Sequence, residues 1–176
     1  MKYLALIVML FTFQEPITIV DFSQKSDVKN WKITNDDVMG GVSTSTMVLN
    51  ENNKGVFSGQ VSTENNGGFA MMRLPVDVKL NNNSKKVKIR LKGDGKQYQF
   101  RVKSNPAERH WYIQEIQTNG DWQTIELNLN SLYPVFRGNR LRRQNFNHTI
   151  IREIAFLIGN KKNESFSLIL DYIKIE

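Results

Sequence analysis

The chain predicts an all-β fold, a β-sandwich or jelly roll, and three observations carry that prediction. Apolar and polar residues alternate with period two in segment after segment, the pattern of strands with one buried face. The segments are short and are divided by Asn, Gly, Ser and Asp clusters that favour turns. No long amphipathic helical pattern interleaves them, which argues against a parallel α/β sheet.

The elements follow in order. Residues 1–16 read as a secretory signal segment: Lys2 gives a positive start, Tyr3 to Phe13 form an apolar run, and Gln14-Glu15-Pro16 break it. The run is shorter than the roughly 20 residues that span a bilayer. A buried first strand or an uncleaved interfacial anchor is the alternative. Export would place the protein in the periplasm or outside the cell. A single domain is expected over 17–176. Its strands are Ile17–Phe22, Ser45–Leu49, Gly55–Val61, Phe69–Leu74, Trp111–Gln117, Gln123–Leu129, Ile154–Ile158 and Phe166–Ile175. Lys86–Lys92 and Gln97–Lys103 both alternate strictly around Gly93-Asp94-Gly95 and read as a β-hairpin. Single helical turns are expected after Ser26 and around Ser131–Tyr133. From Leu132 to Gln144 the pattern fails. This basic stretch, with Arg137, Gly138, Arg140, Arg142 and Arg143, is either a clamp for an anionic or planar partner or an ordinary solvated loop.

Composition removes several chemistries. Among 176 residues there is no cysteine, so disulfides, thiol nucleophiles and cysteine-bound zinc are excluded. Two histidines, His110 and His148, are too few for a multi-histidine metal site. A net charge of +7 suits acidic partners or peripheral association with a membrane surface. No nucleic-acid motif accompanies the basic residues, so nucleic acid is not an expected partner. Gly41-Val42-Ser43-Thr44-Ser45 falls short of a nucleophile elbow, and no phosphate-binding glycine fingerprint occurs. A glycosidase would need a carboxylate pair, such as Asp36 or Asp37 with Glu115 or Asp121, which nothing in the sequence brings together. Catalysis and cofactors are therefore not expected. Asp36 and Asp37, with the carbonyls of Gly40 and Gly41, are weak calcium candidates. The plainer alternative is that the carboxylates cap backbone amides or pair with Arg73.

The densest motif is Asn35-Asp36-Asp37-Val38-Met39-Gly40-Gly41-Val42-Ser43, echoed by Asn65-Asn66-Gly67-Gly68-Phe69. At least one of Gly40 and Gly41 is expected at positive φ, or packed too closely for a Cβ. With Asp21-Phe22, Trp31, Phe57-Ser58-Gly59, Arg73, Gly93-Asp94-Gly95, Tyr98, Trp122-Gln123, Phe136-Arg137-Gly138, Ile154–Gly159 and Phe166-x-Leu168, this order resembles the complex I intermediate-associated protein 30 family from about residue 20 onward. The resemblance implies a galactose-binding-domain-like jelly roll. It also implies a role without catalysis, since eukaryotic relatives assist assembly of respiratory complex I. The leader has no arginine, unlike a mitochondrial transit peptide, and suggests a bacterial-type exported member.

Two binding roles follow. In the first, the double-glycine loops and the arginine loop contact a protein partner, respiratory-complex subunits being one candidate. In the second, Trp111 or Tyr112 stacks on a glycan, with Asp36, Asp37 and Arg73 as polar partners.

Overall fold

The computed structural model describes residues 15–24, 28–36 and 40–176. The apolar run of the leader, Asp37 and Met39 lie outside the described residues, and the turn expected after Ser26 is found at Val28–Asn30.

Among the described residues, thirteen strands form two antiparallel sheets packed face to face. In chain order they are β1 Ile17–Asp21, β2 Lys32–Asn35, β3 Thr44–Leu49, β4 Gly55–Val61, β5 Ala70–Lys79, β6 Lys86–Lys92 and β7 Gln97–Lys103. Then follow β8 Trp111–Gln117, β9 Trp122–Asn128, β10 Tyr133–Phe136, β11 Asn139–Arg140, β12 Ile150–Ile158 and β13 Glu164–Ile175. A six-stranded sheet runs β3-β4-β13-β6-β9, with β1 continuing the β4 side of β13. A seven-stranded sheet runs β11-β10-β8-β7-β12-β5-β2. Helix among the described residues is confined to single turns, including Val28–Asn30 and Leu129–Ser131.

The alternation seen in the sequence is the division between core and exterior. Val87, Ile89 and Leu91 of β6 and Tyr98, Phe100 and Val102 of β7 are all buried in the core between the sheets. Phe57 against Phe166 (4.8 Å between centroids) and Phe100 against Phe156 (5.4 Å) anchor that core.

The expected β6–β7 hairpin does not form. β6 pairs with β13 and β9, whereas β7 pairs with β12 and β8, so the chain changes sheets at Gly93–Lys96. Hairpin neighbours would put both apolar stripes on the same side of one sheet. Here the stripes face each other across the core. Asp94 fastens the crossing: it accepts from the Tyr98 hydroxyl (3.0 Å), the Ser167 amide (3.0 Å) and Lys96 Nζ (2.7 Å). Burial opposes its charge, but these donors prevail and hold its carboxyl below the usual range.

Three strands escaped the pattern. β2 is only four residues long. β10 and β11 form a small hairpin inside the stretch read as a loop, on the edge of the sheet where Pro134 is tolerated.

Candidate functional site

Asp36 sits just past β2 and is 7% exposed. Its Oδ1 accepts from the Ser43 amide (3.2 Å). Its Oδ2 accepts from the Ser43 hydroxyl (2.6 Å), the Gly68 amide and the Phe69 amide (3.3 Å). One carboxylate thus pins both double-glycine loops. Burial pushes its pKa up, but the donors from Ser43, Gly68 and Phe69 outweigh it and leave the group below the usual carboxylate range. The glycines make the approach feasible. A Cβ on Gly41 would lie 2.5 Å from the Asp36 carbonyl oxygen and from its Oδ1, and one on Gly67 would lie 2.5 Å from Oδ2. Gly40 has φ +85°, and its carbonyl accepts from Asn65 Nδ2 at 2.9 Å. Asn66 is at φ 60° beside Gly67. Asn35 Oδ1 accepts from the Ser45 hydroxyl at 2.7 Å.

Of the alternatives weighed for Asp36, the capping of backbone amides is the one found. Asp36 does not reach Arg73, whose Nε lies 3.6 Å from Glu153 Oε1. Its oxygens also face N–H and O–H donors, the opposite of what a calcium ligand needs.

The outer face of the seven-stranded sheet is built differently. Phe69, leaving the junction, packs on a second apolar cluster of Met71, Trp111, Ile113, Val135, Ala155 and Leu157, with Tyr133 against it. Trp111 faces this side but is 7% exposed, and Lys103 Nζ lies 4.7 Å above its ring. Tyr112 points the other way, into the core, where its hydroxyl meets His148 Nε2 at 3.0 Å. Neither aromatic offers an open ring for a sugar. Trp122, on edge strand β9 of the other sheet, is more exposed and lies under Arg90.

Beside the apolar cluster lies a cleft of ≈ 690 Å³. Gln97, Gln99, Glu115, Gln117 and Leu157 line it, closed by Gly138 of the β10–β11 turn and by Gly159–Lys162 after β12. Cross-strand pairing sets Gln97 opposite Gln117 and Gln99 opposite Glu115, and Gln97 Nε2 donates to Glu115 Oε2 at 2.9 Å. The Asp36 junction reaches this rim indirectly. A Cβ on Gly159 would lie 3.2 Å from the Gly68 carbonyl and 3.3 Å from Phe69 Cβ. On the hairpin, Arg137 has φ 50° and lies over Phe136, Gly138 has φ +78°, and Arg140 lies 4.4 Å over Tyr133.

The structure therefore gathers Asn35, Asp36, Gly40, Gly41, Ser43 and Asn66–Phe69 into one junction. It places Arg73, Trp111 and the Arg137–Arg140 hairpin on one sheet face, and separates Tyr112 from both. The sequence reading names Glu115 only as half of a carboxylate pair and gives Gln97, Gln99 and Gln117 no role. Their alternation with Tyr98, Phe100 and Ile116 was visible, but an ordinary solvated face has the same pattern.

Two antiparallel sheets around one apolar core define an all-β sandwich, the fold also seen in carbohydrate-binding modules. A family 11 carbohydrate-binding module from Clostridium thermocellum, solved with a β-1,3-1,4-mixed-linked tetrasaccharide, superposes with a TM-score of 0.69 at 18% identity, covering 91% of this chain and 94% of that one. The family 11 module of cellulosomal cellulase Lic26A-Cel5E from the same organism gives 0.69 at 17% identity, over 93% and 95%. An agarase gives 0.55 at 12% identity, with 93% of this chain matching 25% of that one. No curated protein matches. The chain belongs to the Complex I intermediate-associated protein 30 family, whose model matches residues 20–170.

Proposed function

We propose that the protein is an exported, non-catalytic binding module that takes a saccharide chain in the cleft on the outer face of its seven-stranded sheet. The observation that carries this is the cross-strand pairing of Gln97 with Gln117 and Gln99 with Glu115 around Leu157. Amides and a carboxylate in fixed register present both donors and acceptors, which vicinal hydroxyls require. Leu157 and the cluster beside it supply apolar surface for the faces of sugar rings. The carbohydrate-binding modules of the same fold support the reading by analogy. The protein-contact role is less well served, because Asp36 turns the polar groups of the double-glycine loops inward.

The test is titration calorimetry with neutral tetrasaccharides, mixed-linked β-glucan included, alongside Gln99→Ala. Saturable binding that weakens by about tenfold in the variant is expected, in line with losing one hydrogen-bonding anchor. Absence of binding to every saccharide, together with specific capture of respiratory or envelope subunits from the native membrane fraction, would return the protein to an assembly role.

A further inference from the structure

We infer that the saccharide is anionic, carrying carboxylate or sulfate groups, and that Arg101 receives one of them, assisted by the arginines of the β10–β11 hairpin. This rests on the cleft reading above and specifies the ligand of that same site.

Arg101 lies on β7, the middle strand of the seven-stranded sheet, between Ala155 of β12 and Ile113 of β8. The Arg101 side chain is partly buried. Two of its nitrogens, Nε and one terminal nitrogen, donate to a single oxygen, Oε1 of the cleft residue Gln99. No carboxylate lies within ion-pair distance of it among the described residues. A guanidinium withdrawn from water without a counter-charge is an unfavourable arrangement, and burial pulls its pKa down to about 10. It remains charged at neutral pH. Its unused N–H groups form a planar fork suited to a carboxylate or sulfate.

The surroundings add cations at the rim. Gly138 lines the cleft, so Arg137 and Arg140, both exposed, stand at its edge. Neither has an ion pair among the described residues, and each lies over an aromatic ring that fixes its position. Tyr133, beneath Arg140, is opposite Ile113, which is opposite Arg101, so the hairpin charge and the central charge share one row of the sheet. Of the acidic groups on this face, Glu153 faces Arg73 and Lys103, while Glu115 accepts from the neutral amide of Gln97 and keeps its charge among the cations of the cleft.

The experiment titrates wild-type protein with a neutral β-glucan tetrasaccharide, a tetragalacturonate, a sulfated tetrasaccharide and a glutamate tetrapeptide, at low and high salt. At least one anionic saccharide is expected to bind about tenfold more tightly than the neutral one, with the advantage falling as salt rises. The uronate and sulfate arms distinguish the source of the charge. Arg101→Gln should bring the charged and neutral sugars to within about twofold of each other, and Arg140→Gln should lower the preference about threefold. Thermal melting checks whether Arg101→Gln folds; Arg140→Gln, on an exposed hairpin, tests the same preference without touching the sheet interior. Equal binding of neutral and anionic sugars by wild-type protein, or a preference that survives in both variants, overturns the inference and leaves the cleft reading standing. Equal affinity for the glutamate peptide overturns it in favour of an acidic protein partner. Failure to bind any saccharide removes both readings.

Discussion

The Asp36 junction and the β10–β11 hairpin both combine glycine, positive-φ residues and charge, and they direct their polar groups oppositely. In the junction, one buried carboxylate accepts from two loops, and Gly41 and Gly67 are glycine because a side chain would occupy the space of that carboxylate. On the hairpin, Gly138 adopts φ +78° with open space around it, and Arg137 and Arg140 reach outward without acidic partners among the described residues. Polar density alone does not distinguish a fastening from a docking surface. What distinguishes them is whether donors and acceptors are matched within the protein.

Three measurements can break or sharpen that contrast. The largest effect is expected at Asp36→Ala, which strands the Gly68 and Phe69 amides and should cost about 3 kcal/mol in denaturant unfolding. The same carboxylate gives the protein an acid-sensitive limb. Its folded pKa lies below the unfolded one, so the stabilisation is complete above the unfolded value, about pH 4, and is lost as pH falls through the depressed folded value. Asp94 acts with the same sign, so Asp36→Ala should flatten the acid limb without removing it. A variant as stable as wild type, with an unchanged acid limb, would falsify the fastening role.

Next come the glycines. Gly67→Ala places a methyl 2.5 Å from Asp36 Oδ2 and 2.8 Å from the Ser62 carbonyl, and should cost up to about 3 kcal/mol. Gly138→Ala meets no neighbour and bears only the left-handed backbone penalty, about 1 kcal/mol. The reverse order in urea midpoints would mean that close approach is not what the junction glycines serve. The smallest effect belongs to Arg140→Gln, within about 0.5 kcal/mol of wild type by thermal melting. A larger loss there would show that the hairpin arginines hold the fold together.

Much of the sandwich was legible because burial has period two: Gly55–Val61 and Trp111–Gln117 match their strands end to end. The pairing of those strands was not. Lys86–Lys92 and Gln97–Lys103 carry the pattern of a hairpin and of two strands facing across a core equally well, and only the tertiary partners β13 and β12 decide between them. The junction was legible as a motif, since the plainer alternative for Asp36, capping of backbone amides, is the one adopted. The cleft was not, because Gln97, Gln99 and Gln117 become a lined surface only once β7 and β8 are side by side beneath the β10–β11 turn. Nor did sequence show that Lys103 covers Trp111, since cation and ring come from different strands.

β13 pairs with β1, β4 and β6, strands all drawn from the first half of the sandwich and far from it in sequence. The six-stranded sheet therefore has no centre until β13 has been synthesised. Before that, β1, β4 and β6 are open edges with apolar faces exposed, and a nascent chain at that stage is prone to associate with others of its kind. Because these pairings join residues far apart in sequence, folding should be slow relative to a domain built from local hairpins.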